Sequence, residues 1–227
     1  MQKRILIYGA GGHAKTVISL LRLLEWDIAG IIDDGVEAGV LVSGVRVLGN
    51  AELLPELRAD GIDAVVNAVG GIGNYTVRLK IFERLKALDF CFPTLIHPAA
   101  FVEDTVTLAD GIQILAKSYI SSESSIGFGT LINAGVIISH DGKIGSCVNL
   151  SPGALLAGQV TVEDYAQIGM GATVNLGVTV GTRARVGNSA AVKADVPADG
   201  RVFAGTVWPP FSGHGKPVTD KNLRKMA

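Results

Sequence analysis

The hydrophobic pattern of the chain changes once, near residue 95. Before that point, short unbroken apolar runs alternate with stretches of helical periodicity. KRILIY (residues 3–8) reads as a buried strand. The glycine loop GAGGHA follows, then a helix through KTVISLLRLLEW and a second strand, DIAGIID. A short helix in AELLPELRAD, a strand DAVVNAV, a long helix in NYTVRLKIFERLKALD and a last strand, FCFPTLI, complete the series. Strand–helix alternation of this kind predicts a small parallel α/β domain over residues 1–95, with helices on both faces.

From Ile96 the period becomes six. Ile96, Val102, Leu108, Ile114 and every sixth residue thereafter to Val192 are Ile, Leu or Val, seventeen positions without a slip. Four residues after most of them sits a small or β-branched residue, among them Ala100, Ser118, Thr130, Val148, Ala154, Ala166 and Ala172. Hexads are the signature of a parallel β-helix, in which both positions point into a narrow prism and three hexads make one coil. Residues 96–197 then form between five and six coils, with a tail over 198–227. Gly127, Gly145, Gly169, Gly181 and Gly187, each following its aliphatic, mark places where the backbone bends or packs closely.

Composition narrows the function classes. Among 227 residues the formal net charge is −1, so no electrostatic footprint for nucleic acid or an anionic membrane is present. The 29 glycines are nearly double the usual share, yet aliphatics are abundant and charge is balanced, so the chain is not disordered. Cys91 and Cys147 make neither a metal spacing nor a disulfide framework, as expected of a cytoplasmic protein. The apolar run Ile5–Tyr8 is too short for a signal sequence or a membrane span.

Two features exceed what a scaffold needs. The first is Gly9-x-Gly11-x-x-Ala14 after the first strand, with Asp33 closing the next strand. Its physical content is a glycine turn that lets a diphosphate approach a helix N-terminus. The second is His140-Asp141 in the hexad Ile138–Lys143. Third in its hexad, His140 does not line the prism core but projects from an edge. An imidazole is suited to take a proton near neutral pH, and an adjacent carboxylate can fix its tautomer. Asp141 before Gly142 is equally a turn residue.

These stretches, IYGAGGHAK, Asp33-Asp34, LIHPAA, INAGVIISHDGKIG and LSPGALLAGQVTV, resemble in this order the bacterial hexapeptide-repeat sugar acyltransferases. The resemblance is to the sialic acid O-acetyltransferase and UDP-4-amino-sugar N-acetyltransferase branch, and it extends to about residue 205. It implies a Rossmann-like nucleotide-sugar domain followed by a left-handed β-helix, acetyl-CoA as co-substrate, no metal, and a homotrimer with active sites between subunits. It further implies His140 as general base with Asp141 beside it, and acceptor contacts from Gly9, Gly11, Gly12, His13, Asp33, Asp34 and Asn133. Donor contacts fall on Asn149, Gly153, Gly158, Met170 and Asn188, with Gly153 or Gly158 placing a backbone N–H at the oxyanion. Arg183, Arg185, Lys193 and Arg201 read as solvated charge, His97 as a junction residue and His214 as part of the tail. FAGTVWPPFSG departs from the family's usual Gly-x-Pro-Ala-basic close.

The resulting expectation is acetyl transfer to the amino group of a nucleotide-linked amino-sugar. O-acetylation of a sialic acid-type sugar is the near rival. A non-catalytic nucleotide-binding scaffold is the rival from another class. A γ-carbonic anhydrase type of metalloenzyme needs three histidine ligands, whereas only His97 and His140 fall in the repeats. An NAD(P) oxidoreductase rests on the glycine loop alone.

Overall fold

In a computed structural model the structure describes residues 4–73 and 75–210; His214 and the sequence HGKPVTDKNLRKMA lie outside the described residues. The chain divides into two compact units. One runs to Pro98 and takes in Ala109–Gln113; the other holds Ala99–Leu108 and the chain from Ile114 onward.

The first unit is a parallel sheet with helical crossovers. It contains β1 (Arg4–Tyr8), α1 (Gly12–Leu23), β2 (Asp27–Ile32), β3 (Leu41–Val42), β4 (Val45–Gly49), α2 (Leu54–Ala59), β5 (Ala64–Asn67) and α3 (Tyr75–Lys86). The sheet order is β3-β4-β2-β1-β5. Ile5, Leu6 and Ile7 are fully buried, as an uninterrupted aliphatic run in a central parallel strand requires. α1 buries Ala14, Val17, Ile18 and Leu21, spaced at three and four residues, so one stripe of the helix faces the core.

Two features of this unit differ from the sequence expectation. The hairpin β3–β4 turns through Ser43 and Gly44, both at positive φ, the geometry that two-residue antiparallel turns favour. FCFPTLI is not one strand: Cys91 makes a single parallel bridge to Ala64, and the next strand is only Leu95–Ile96. Pro93 between them has no N–H to continue the ladder.

In the second unit, two-residue strands end on the sixfold aliphatics and stack in three parallel sheets, a left-handed β-helix. Strand partners lie 18 residues apart: Tyr119 faces Ile137, Ser125 faces Lys143 and Leu131 faces Asn149. Three hexads therefore make one coil. Ile132, Ile138, Leu150, Val162 and Ile168 are fully buried, as are Val136, Ala154 and Ala166 from the second inward position. Where that position is polar, its hydroxyl bonds the next coil: Thr130 Oγ1 donates to the Gly145 carbonyl at 2.8 Å and Ser118 Oγ to the Asn133 carbonyl at 2.9 Å.

The corners follow a rule of their own. From Gly111 to Ser189, the third residue after each aliphatic has positive φ, whether it is glycine or, like Lys117, Cys147 and Tyr165, is not. The glycines directly after the aliphatics do something else. A Cβ on Gly127 would lie 2.5 Å from the carbonyl carbon of Gly145, one coil away. Close coil-to-coil approach, and not a bend, is what those glycines provide. Gly127→Ala is therefore expected to destabilise the fold by about 1–3 kcal/mol, measured as a shift in the denaturation midpoint; an unchanged midpoint would refute it.

The prism continues beyond 197, which revises the expected tail. Arg201–Val202 and Val207–Trp208 are strands that pair with Arg185–Val186 and Ala191–Val192. The sixfold period reaches Ala198, but the register shortens by two residues, so the inward positions become Val196, Val202 and Trp208. Among the described residues, no helix is long and apolar enough to cross a membrane.

Candidate active site

In the first unit, strand order reverses at β1: the chain passes to β2 and β4 on one side and later to β5 on the other. Such a switch point opens a crevice at the carboxyl ends of the strands. There β1 runs through Gly9 and Ala10 into α1, whose N-cap is Gly11 with no side-chain cap. A Cβ on Gly11 or Gly12 would meet nothing within 4 Å, so the helix N-terminus stands open. Asp33 shapes this loop. Its Oδ2 accepts from the Ala10 N–H at 2.7 Å, and its Oδ1 from the N–H groups of Gly35 at 2.8 Å and Val36 at 3.0 Å. Asp33 thus fastens the glycine loop to the turn after β2.

Asp34 accepts from the Tyr8 hydroxyl at 2.7 Å and the Ala51 N–H at 3.0 Å, with Arg84 at 3.3 Å. Burial pushes its carboxyl up, but these three donors outweigh burial and hold it below the usual range. Burial and the bond to Asp34 push the Tyr8 phenol up to about 12. Asp33, Asp34, Glu37 and Asn50 line an open cleft of about 490 Å³.

His13 stands in the first turn of α1. Its Nε2 lies 2.8 Å from Gln113 Oε1, and Gln113 Nε2 donates to the Asn67 carbonyl at 2.9 Å. That second bond fixes the amide, so Oε1 accepts, Nε2 of the ring is the donor, and Nδ1 is the acceptor of the neutral imidazole. Burial lowers the His13 pKa from 6.5, the Gln113 bond offsets part of this, and the Arg78 charge adds to the lowering. The unfolded ring therefore binds a proton that the folded ring resists. Stability from this group is complete above pH 6.5 and is lost as pH falls through the lower folded value. His13→Asn is expected to flatten the acid side of the stability–pH curve, measured by thermal denaturation; parallel curves for the two proteins would refute it.

In the second unit, His140 and Asp141 lie on the corner between the strands Ile137–Ile138 and Lys143–Ile144. Asp141 N–H donates to the Ser122 carbonyl at 3.0 Å and Gln159 N–H to the His140 carbonyl at 2.9 Å, which ties the corner to both neighbouring coils. His140 Nδ1 is 2.7 Å from Asp141 Oδ2. With Nδ1–H donated to the carboxylate, the lone pair of the neutral ring is at Nε2. One coil on, the ring lies over Gly158, where a Cβ would come within 2.5 Å of Nε2 and 2.6 Å of Cε1. Gly158, a donor-contact candidate, is thus the bed of the histidine. Beside it runs an open groove of about 440 Å³, lined by Ile137, Leu155, Leu156, Thr173 and Leu176.

The remaining candidates fall elsewhere. Asn133, Gly153, Met170 and Asn188 occupy the corner that precedes the same sheet, one face of the prism away from His140. Asn188 Oδ1 accepts from the Met170 N–H at 2.9 Å, joining two coils there. Asn149 is 3% exposed and donates to Ser151 Oγ at 3.0 Å, while Asn133 donates to the Leu150 carbonyl at 2.8 Å. Asn149 therefore belongs to the prism wall, its amide buried and bonded within the chain. Arg183 makes a two-pronged pair with Asp199 at 2.8 and 2.7 Å. Among the described residues, no three His, Cys, Asp or Glu side chains group as a metal site.

Tyr8, Arg84 and Gln113 escaped the sequence argument. Tyr8 ends an aliphatic run, a polar tip at a strand terminus that invites a partner. Arg84 and Gln113 carry no such signal, one reading as a solvated helix charge and the other as an ordinary strand polar residue.

Comparison with known proteins gives concordant similarities. Residues 4–85 match the PglD N-terminal domain family. The chain is 32% identical over 116 residues to the UDP-N-acetylbacillosamine N-acetyltransferase of Bacillus subtilis (strain 168), covering 50% of this chain and 52% of that protein. It thus spans about half the length of the curated relative it matches. A histidine-to-alanine mutant of GDP-perosamine N-acetyl transferase from Caulobacter crescentus, in complex with CoA and GDP-perosamine, superposes with TM-score 0.83 and 34% identity over 88% of this chain and 92% of that one. The acetyltransferase domain of PglB from Neisseria gonorrhoeae, in complex with acetyl coenzyme A, does so with TM-score 0.78 and 29% identity over 96% and 100%.

Proposed function

Because the chain belongs to the hexapeptide-repeat sugar N-acetyltransferases that carry the PglD N-terminal domain, we propose that it transfers the acetyl group of acetyl-CoA to the amino group of a nucleotide-linked amino-sugar. The observation that carries this reading is the His140–Asp141 pair at 2.7 Å, its ring laid across Gly158 at the mouth of an apolar groove. The neutral acceptor amine attacks the thioester carbonyl carbon, and His140 Nε2 takes the proton that the nitrogen sheds. The C–S bond then breaks, and the imidazolium returns that proton to the departing CoA thiolate. Asp141 holds Nδ1–H and stabilises the transient charge. Gly158 lies beside the ring and Gly153 on another corner, so Gly158 is the better candidate to supply the oxyanion N–H. The groove of Ile137, Leu155 and Leu176 suits the apolar reach of pantetheine.

In the first unit, the open N-terminus of α1 behind Gly9, Gly11 and Gly12 suits the diphosphate of the acceptor, with His13 beside it. The cleft at Asp34 suits its base and ribose. Met170, Asn188 and Gly153 stand on a different corner from His140, at the other edge of the same face. In a homotrimer that sets one corner of a prism against another corner of its neighbour, both sets of residues face one ligand, and the site is then made between subunits. The reaction is placed in the cytoplasm, where acetyl-CoA and nucleotide-sugars are made.

The test is thiol release from acetyl-CoA against a panel of GDP- and UDP-linked 4-amino-sugars and free sialic acids, on protein sized by light scattering. Release with a nucleotide-linked amino-sugar and a mass of three chains are expected. No release with any acceptor would refute transfer, and a monomeric, fully active protein would refute the shared site.

A further inference from the structure

Two coils before His140, along the same corner and face, lies a group that the transfer chemistry above does not use. Glu103 receives the hydroxyls of Tyr119 on Oε1 and Ser122 on Oε2, with Ser121 Oγ at 3.5 Å. The Tyr119 ring stacks on Phe101, centroids 6.0 Å apart with 25° between the planes, and Phe101 is 63% exposed. Ser122 is directly beneath the catalytic corner, since its carbonyl accepts the Asp141 N–H at 3.0 Å.

We propose that Phe101, Tyr119, Glu103 and Ser122 form the subsite that recognises the pyranose ring of the acceptor, an inference that rests on the transferase reading. Several observations converge on a sugar. A pyranose offers a C–H face, weakly positive, to the negative face of an aromatic ring, and hydroxyls around its rim. Here an exposed Phe101, stacked on the half-buried Tyr119, adjoins a carboxylate that Tyr119 also bonds. The Ser122 N–H also donates to Glu103, and the Ser121 contact at 3.5 Å is the long one that a ligand hydroxyl would replace. The hydroxyls of Ser122, first, and Tyr119 hold Glu103 below the usual carboxylate range, which keeps it an acceptor throughout the neutral region. The arrangement along the prism is also ordered. The aromatic and polar group lies on the N-terminal side of His140, and the apolar groove of Leu155 and Leu176 on the C-terminal side. Acceptor and acetyl donor thus have separate ground, with the base between them.

The consequence is that acceptor selection sits in the first two coils, at residues whose types the hexad pattern leaves free. Phe101→Ala and Glu103→Gln test it, since one removes an exposed ring and the other keeps shape and hydroxyl partners. Titration calorimetry on the full chain compares GDP-perosamine with bare GDP, and a UDP-linked 4-amino-sugar with UDP. In the wild-type protein the sugar is expected to tighten binding in one of these pairs. Each variant is expected to erase roughly tenfold or more of that gain while binding the bare nucleotide and acetyl-CoA as before. Variants that keep the whole gain would overturn the subsite, as would wild-type protein that binds sugar-nucleotide and bare nucleotide equally in both pairs. Loss of the gain together with loss of the assembled mass would overturn it too, by showing a staple between subunits. Thiol release separates the two readings: its absence alongside an intact sugar-dependent gain would refute transfer and leave the subsite standing.

Discussion

His140→Ala is expected to lower kcat for acetyl transfer about 10²–10⁴-fold, with the KM values of both substrates little changed. The geometry gives the ring one purpose outside the fold. Its side chain is 56% exposed and takes no part in the prism core, so its removal leaves coil stacking intact. Its Nδ1 is occupied by Asp141, and Nε2, with the lone pair, lies over Gly158. Without that lone pair the attacking nitrogen must shed its proton to water as the bond to carbon forms, whereas the positions of donor and acceptor are unaffected. The measurement is thiol release at saturating acetyl-CoA, alongside a denaturation midpoint expected to match the parent. Near-normal turnover would remove His140 from the mechanism and favour a binding scaffold.

Gly158→Ala should come close to the same loss without touching the histidine. A methyl group at residue 158 would sit 2.5 Å from Nε2 and 2.6 Å from Cε1, far inside contact distance. The ring has to swing away, and its bond to Asp141 is lost or redirected. A misplacement of about 1 Å in a catalytic group is enough for roughly a 10²-fold loss. Because both changes act through one ring, they will not add: in a His140→Ala background, Gly158→Ala is expected to have little further effect on kcat. Full additivity in that double mutant would show that Gly158 acts on its own, for example through the oxyanion.

Much of this architecture is visible in the sequence because the prism repeats one local solution. Each aliphatic from Ile114 to Val192 is buried where the sixfold count puts it, since a slip of one residue would turn an inward side chain outward. His140 and Asp141 are legible for the same reason, as letters the period does not explain. What the count misses is any event that breaks the period. The two-residue shortening before Val196 hides the last strands, and a half-buried Trp208 then stands in strand register where the pattern offers no aliphatic. Contacts between distant residues are also silent. Gln113 meets His13 across 100 positions, and Glu103 meets Ser122 across one coil. Conversely, Asp33 looks like a ligand residue by position, yet in the fold it bonds three backbone N–H groups. Short-range pattern predicts which face a residue takes; partners depend on which coil or loop arrives opposite.

The positive φ at the third position of each corner bears on how substitutions at the catalytic pair must be interpreted. Asp141 occupies that position, with φ of 58°. Alanine there would remove the carboxylate and impose a backbone penalty in the same step, because the left-handed region disfavours a residue with an ordinary Cβ. A fall in activity would then mix chemistry with a shifted corner. Glycine and asparagine both accept the conformation, and asparagine keeps the shape as well. Asp141→Asn isolates the charge and Asp141→Gly the whole side chain, so these two losses relative to the parent, and not the alanine value, measure what the carboxylate does for His140.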